Sequence, residues 1–410
     1  MDKKKVLVLG VDGLDPRLAS HFLEEGKMPS FEKLIHRGSA RKDLRMLGGM
    51  PTITPPMWTS LATGATPATH GITCFWGQSK KDLATMTYNL NSKSCRAEQM
   101  WNVTTEAGLK TLVWHWPGSS WPPSSDSPLL HVVDGSQPNA IGNGDCVVDD
   151  DKLLYASEKV EKTIFKAKVP NTSGAGCIIN DVPVDTDDSA VSESEFNNAL
   201  EMKSLILSEH EGDLSADMLP IDVINTPISA PTKWQIDVPA DAKEFSVLIN
   251  GGKTRRPALI LKNENGVYDS VAIYKDKKTA EPLVVLGDAF VSTVYDELVI
   301  DESKIKTNRP MRLLSLAEDG SEVRVWIGPA KDIYKDVLWH PATLKKTVIE
   351  NVGPVPCTSM ADARNESLVK TCLLPCWDVY SKWQADAMNY LIDHENYDVV
   401  FSHLHNVDAC

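Results

Sequence analysis

Asp12 and Thr54 are the residues from which chemistry can be read first. Asp12 ends a short apolar run, Val6-Leu-Val-Leu-Gly-Val-Asp12-Gly13. A carboxylate at the C-terminal end of a strand lies where open α/β sheets place their ligands. Thr54 stands in Pro51-Thr-Ile-Thr-Pro-Pro-Met-Trp-Thr-Ser-Leu-Ala-Thr-Gly64, where Pro55 suits the start of a helix and Gly64 its end. A hydroxyl at the N-cap of that helix would face unpaired N–H groups and the positive end of the helix dipole. Both favour an alkoxide and the phosphate it attacks. Together the two groups predict a nucleophile activated by a metal ion. A lone threonine at a helix start is usually only a cap, so the surrounding pattern carries the reading. Thr52 would sit before the helix, and the spacing from Pro51 selects Thr54.

These residues belong to a longer pattern. Val11-Asp-Gly-Leu-Asp15, Met28-Pro-Ser-Phe-Glu-Lys-Leu34, Pro51-Thr-Ile-Thr54 and Leu61-Ala-Thr-Gly-Ala-Thr-Pro-Ala-Thr-His-Gly-Ile72 follow one another in fixed order. In its first part, and again near the C-terminus, the chain resembles the type I phosphodiesterase / nucleotide pyrophosphatase family of the alkaline phosphatase superfamily. The resemblance implies an α/β fold of the alkaline phosphatase type, a sheet sandwiched by helices. It also implies that Asp12 binds a metal ion, that Thr54 is the nucleophile bridging to the same ion, and that Asp408 binds a second ion. The family's next histidine would fall beyond Cys410, as would an Asp-His pair and a final histidine. The chain is therefore expected to be C-terminally incomplete, a fragment or one part of a split enzyme. It supplies Asp12, Thr54 and Asp408 of a two-metal site, and three oxygen ligands are too few to hold zinc well.

The activity implied is hydrolysis of a phosphodiester or pyrophosphate bond through a phospho-threonine on Thr54. Two divalent metal ions, with zinc expected, would lie about 4 Å apart. Phosphomonoester or phosphonate ester hydrolysis is the alternative within the superfamily. Sulfate esters are disfavoured, because Thr54 is followed by Pro55-Pro56-Met57 rather than by the sulfatase signature. A non-catalytic binding protein is the alternative of a different class. One departure bears on the substrate: where the nucleotide pyrophosphatases usually carry a phosphate-holding asparagine, this chain has Phe75.

Other candidates weigh less. His70 reads as a structural hydrogen-bonding group in its turn. His403 and His405 alternate at a strand end and could face one side, but the family pattern places the metal at Asp408 instead. Trp114-His-Trp-Pro-Gly118 and Trp121-Pro-Pro123 could line a cleft or pack a core. Asp149-Asp-Asp151 reads as a solvated turn at a boundary. Cys372-Leu-Leu-Pro-Cys376 lacks a second pair, so buried thiols are expected rather than a zinc knuckle.

The elements that must position the site alternate strand and helix through residues 1–139, which predicts a parallel sheet covered by helices. Helices are expected from Asp15-Pro16 to Gly26, from Ser30 to Gly38 and from Ala97 to Ala107. A strand is expected over Leu109–Trp114. Residues 140–345 read as a largely β-rich insertion, a sandwich or cap. It holds one helix, Glu193 to His210, and strands at 243–249, 258–261, 270–274, 283–286 and 322–327 separated by turns such as Asn250-Gly251-Gly252. The α/β pattern resumes over 346–410, with a helix from Trp377 to His394 and a strand at 397–402.

The 410 residues, 42% hydrophobic and 24% charged, can form more than one domain. A net charge of −14 argues against a nucleic-acid polymer as partner. It does not argue against a small phosphorylated substrate, since bound cations reverse the local field. The basic start and short apolar run end in Gly-Val-Asp, so they read as a strand and not as a signal peptide. A cytoplasmic enzyme with no membrane partner is the expectation.

Overall fold

The computed structural model describes residues 5–46, 48–79, 86–134, 146–166, 181–183, 221–287, 290–335, 339–358 and 366–409. The helix expected from Glu193 to His210 lies outside these residues. The chain divides into two compact units. The first comprises Met1–Asn143, Val337–Gly353 and Ala385–Cys410, and the second Gly144–Asp336 and Pro354–Gln384.

The first unit is α/β. Its strands are β1 (Val6–Val11), β2 (Thr111–Trp114), β3 (Leu130–Val133), β4 (Trp339–His340) and β5 (Val399–Leu404), in the spatial order β1-β5-β2-β3-β4. All neighbours are parallel except β4, which pairs antiparallel with β3. β2 and β3 are buried along their whole length, as strands of a covered parallel sheet are. Helices α1 (Pro16–Glu24), α2 (Pro29–Arg37), α3 (Thr54–Thr63) and α4 (Met100–Glu106) complete the alternation.

Helix ends follow local chemistry. Asp15 caps α1 by accepting from the N–H of Arg17, and Gly64 ends α3 in the left-handed conformation at φ 68°. The helix expected from Ala97 to Ala107 is shorter: residues 97–99 stay extended or irregular, and α4 begins at Met100. Trp58, Trp101, Trp116, Val113 and Phe401 pack into one core cluster. A large aromatic side chain buries about 150–250 Å², so three indoles dominate the burial on this face.

The second unit is β-rich. Its nine-stranded sheet includes Lys152–Ser157, Asp222–Pro227, Ser292–Ile300, Ser303–Leu316 and Glu322–Ile327. Its four-stranded sheet runs Lys243–Ile249, Thr254–Lys262, Tyr268–Ile273, Val284–Leu286 in order. Residues of both sheets, among them Leu154, Ile224, Phe245, Val271, Leu313 and Val325, share one buried cluster.

Two expectations change here. Asp149 is buried rather than solvated, because Lys152 Nζ lies 2.7 Å and Arg309 Nη2 2.6 Å from its carboxylate oxygens. Residues 354–384 cluster with the β-rich unit, whereas the sequence pattern assigns 346–410 to the α/β part. The cause is packing: Leu368, Cys372 and Cys376 are buried with Leu153, Ile221 and Trp326. Both cysteines are buried as expected, and burial pushes the Cys372 thiol up to about 11. Among the described residues, no helix is long and apolar enough to cross a membrane.

Candidate active site

Strand pairing builds the site. The parallel register sets Gly10 against His403 and Val11 against Leu404. One step on, the Asp12 N–H donates to the Leu404 carbonyl at 2.9 Å. Asp12, His403 and His405 therefore emerge together at the C-terminal ends of two adjacent strands. One ligand atom from each lies within 4.8 Å of the others.

Asp12 is the hub. Its Oδ2 accepts from Thr54 Oγ1 at 3.2 Å and lies 3.4 Å from His403 Nε2 and 3.7 Å from His405 Nδ1. Its Oδ1 accepts from the Gly13 N–H at 3.1 Å. Burial would raise the Asp12 carboxyl, but hydrogen bonds from His403 and His405, the charge of His403 and the Trp58 indole outweigh it. They hold the carboxyl well below the usual range. His403 is fully buried, and burial lowers its pKa against the opposing pull of Asp12. The carbonyl of His115 also faces its ring.

Asp408 closes the other side. Its Oδ2 is 3.7 Å from His405 Nδ1, so that nitrogen is equally far from both carboxylates. Gly13, at φ 68°, permits this approach, since a Cβ there would lie 2.7 Å from Asp408 Cα.

Thr54 is the first residue of α3, with Ile53 in the cap position. This corrects the expected N-cap placement and weakens the helix as an anion site. Pro55 and Pro56 bring no N–H, and the Met57 N–H is bonded to the Ile53 carbonyl at 3.2 Å.

The remaining candidates fall into place. His70 is buried, accepts from the Ile72 N–H at Nδ1 (3.1 Å) and meets Ser60 Oγ at Nε2 (3.0 Å), a structural role in the turn. Trp114, His115 and Trp116 are core, not cleft. His403 and His405, set aside on family grounds, stand beside Asp12. Their alternation along a strand was the available signal, but only the register with β1 shows what they face.

Two imidazoles and a carboxylate are a donor set that suits zinc or a similar divalent cation. On that chemistry Asp12, His403 and His405 fit the ion that the resemblance implies, with Asp408 adjacent. Thr54 and the two carboxylates also line an open cavity of about 760 Å³.

A sequence profile of the type I phosphodiesterase / nucleotide pyrophosphatase family matches residues 6–206. Among solved structures the chain is similar to phosphonoacetate hydrolase from Sinorhizobium meliloti 1021, crystallised with phosphonoformate. The identity is 24% over 27% of this chain and 26% of that one, with a TM-score of 0.25. The phosphonoacetate complex of the same enzyme matches at 23% identity over 27% and 26% of the two chains, also with a TM-score of 0.25. The chain thus spans about a quarter of the length of these structures. No curated protein matches.

Proposed function

We propose, from the match of residues 6–206 to the type I phosphodiesterase / nucleotide pyrophosphatase profile, that the chain hydrolyses phosphate esters through a phospho-threonine on Thr54. The observation that supports this most is the Thr54 hydroxyl held 3.2 Å from Asp12 Oδ2 on the wall of an open cavity. The substrate class is a phosphodiester or pyrophosphate.

Thr54 Oγ attacks phosphorus. The new O–P bond forms as the bond to the leaving oxygen breaks, and that oxygen departs with the electron pair. The hydroxyl proton passes to solvent, because a carboxyl held as low as that of Asp12 is a weak base. Asp12 therefore orients the hydroxyl rather than deprotonating it. Water then attacks the same phosphorus, breaks its bond to Thr54 and restores the hydroxyl. Asp12, His403 and His405, with Asp408 beside them, would hold a divalent cation that lowers the hydroxyl pKa and offsets the phosphate charge. Trp58 stands edge-on to His403 with ring centroids 4.5 Å apart, which fixes the imidazole against Asp12.

The test is Thr54→Ala assayed on bis(4-nitrophenyl) phosphate with zinc present. The expected result is loss of turnover with unchanged far-UV circular dichroism. Activity within tenfold of the parent protein would sink the proposal.

A further inference from the structure

Arg309 stands in the middle of the strand Ser303–Leu316, in the β-rich unit, and is only 1% exposed. Its Nη2 donates to Asp149 Oδ2 at 2.6 Å. Nε and Nη1 are buried as well, and neither has a hydrogen-bond partner among the described residues. Unanswered N–H groups on a buried cation are costly, so an acceptor is missing from the protein's own groups. Asp149 cannot supply more, because its Oδ1 already accepts from Lys152 Nζ at 2.7 Å and from the Gly251 N–H at 3.1 Å. Asp222 lies 3.5 Å from the same Lys152. Arg309 also lines a small cavity of about 10 Å³, together with Thr293, Cys357 and Cys376. Pro310, Pro356 and two valines complete the wall. Part of its cause is local: Pro310 pairs with Thr293 in the ladder and brings no N–H to it. The segment before Cys357 is tied to the same strand by Asn308 Nδ2, which donates to the Val355 carbonyl at 3.0 Å.

From these observations we infer that the cavity is a chloride site, in which one monatomic anion accepts from the Arg309 guanidinium, the Thr293 hydroxyl and the Cys376 thiol. Size limits the choice first. A space of ~10–15 Å³ holds a single water-sized particle, so phosphate, sulfate and carboxylates are excluded. Chemistry decides the rest. Arg309 is the only charged side chain among the described residues of the lining, which includes no carboxylate. Burial, reinforced by Cys357 and Cys372, pushes the Cys376 thiol far above the ordinary range, so it stays an S–H donor. A water would bring hydrogens of its own, for which these side chains offer only the Thr293 oxygen and weakly accepting sulfurs. Chloride only accepts, and it answers the guanidinium charge as well. A metal cation would meet that charge directly. The ion joins the strand Ser303–Leu316 to the segment that carries Cys357 and to the helix Leu374–Glu395, so its effect falls on stability.

Thermal unfolding of the intact chain in sodium chloride, sodium bromide and sodium gluconate at equal ionic strength tests the inference. Chloride and bromide are expected to raise the unfolding temperature by roughly 2–4 °C over gluconate, which is too large to enter, and the rise should saturate with concentration. Thr293→Val removes one donor and keeps the pair between Arg309 and Asp149. It should lose most of the chloride-specific rise while its far-UV circular dichroism stays unchanged. Arg309→Met should lose the rise altogether, and Thr293→Val carries the test if that chain does not fold. Crystals grown in bromide should show an anomalous peak beside the Arg309 guanidinium. Equal unfolding temperatures in chloride and gluconate would overturn the inference and leave a water in the cavity. An undiminished rise in Thr293→Val, or bromide crystals without a peak beside Arg309, would overturn it too.

Discussion

Gly10 and Trp58 are packed so closely that a Cβ on residue 10 would lie 2.3 Å from the indole. The indole in turn stands edge-on to His403, and the Trp58 carbonyl accepts from Trp116 Nε1 at 3.2 Å. A missing side chain in β1 thus sets where a buried imidazole of the site can stand.

Gly10→Ala is therefore expected to displace Trp58, and with it His403. Overpacking of this kind costs about 1–3 kcal/mol. Thermal unfolding should shift down, and the near-UV circular dichroism of the tryptophans should change. An unaltered near-UV spectrum at unchanged stability would show that the contact is relieved at no cost to the site.

Metal binding should follow the three-residue cluster. A single ion at a hundredfold excess over its dissociation constant stabilises the native state by about 2.7 kcal/mol. Zinc is expected to raise the unfolding temperature of the parent chain and a chelator to reverse the rise. Asp12→Asn and His403→Gln should each lose most of that shift and most of the bound zinc. Elemental analysis with undiminished zinc in both variants would count against these residues as ligands.

A pH dependence follows from His131. It is buried, with Nδ1 2.7 Å from the Tyr397 hydroxyl, and burial, aided by the charge of Lys110, lowers its pKa to about 4. The unfolded chain binds that proton near the ordinary value of about 6.5, the native state only near 4. Stability is thus intact above the unfolded value and lost as pH falls through this window, by at most about 3 kcal/mol. His131→Phe should flatten the decline in unfolding temperature between neutral pH and pH about 5. An equal slope in the two proteins would exclude His131 as its source.

Much of the fold is legible where local signals agree. The strands Lys243–Ile249 and Glu322–Ile327 match the sequence pattern end to end, because each concentrates β-branched and aromatic residues between turn formers. The hairpin Ser292–Ile300 with Ser303–Leu316 is hidden, although it contains the longest strand among the described residues. Its turn places Asp301 and Glu302 at φ 46° and 66°, a conformation usually marked by Asn-Gly. Its second strand also buries Thr307, Asn308 and Arg309, which breaks the expected alternation. Asp149 is misread for a related reason, since its partner Arg309 lies 160 positions away.

The candidate site divides the same way. Asp12 and Thr54 are visible in sequence because each stands at the edge of a recognisable element. His403 and His405 are visible as a pair, but their relation to Asp12 depends on the β1–β5 register. The loss of anion-binding N–H groups at α3 was legible in Pro55-Pro56 and was outweighed by the helix-start signal those prolines provide.

Thr54 is expected to become covalently bonded to phosphorus during turnover. Rapid mixing of the zinc-supplemented protein with bis(4-nitrophenyl) phosphate, an acid quench and mass spectrometry of the peptides would test it most directly. An aryl phosphoryl adduct on Thr54 is expected to form within the first turnover and to be missing from Thr54→Ala. Steady turnover with no adduct on Thr54 at any quench time, or an equal adduct on another residue in Thr54→Ala, would contradict it.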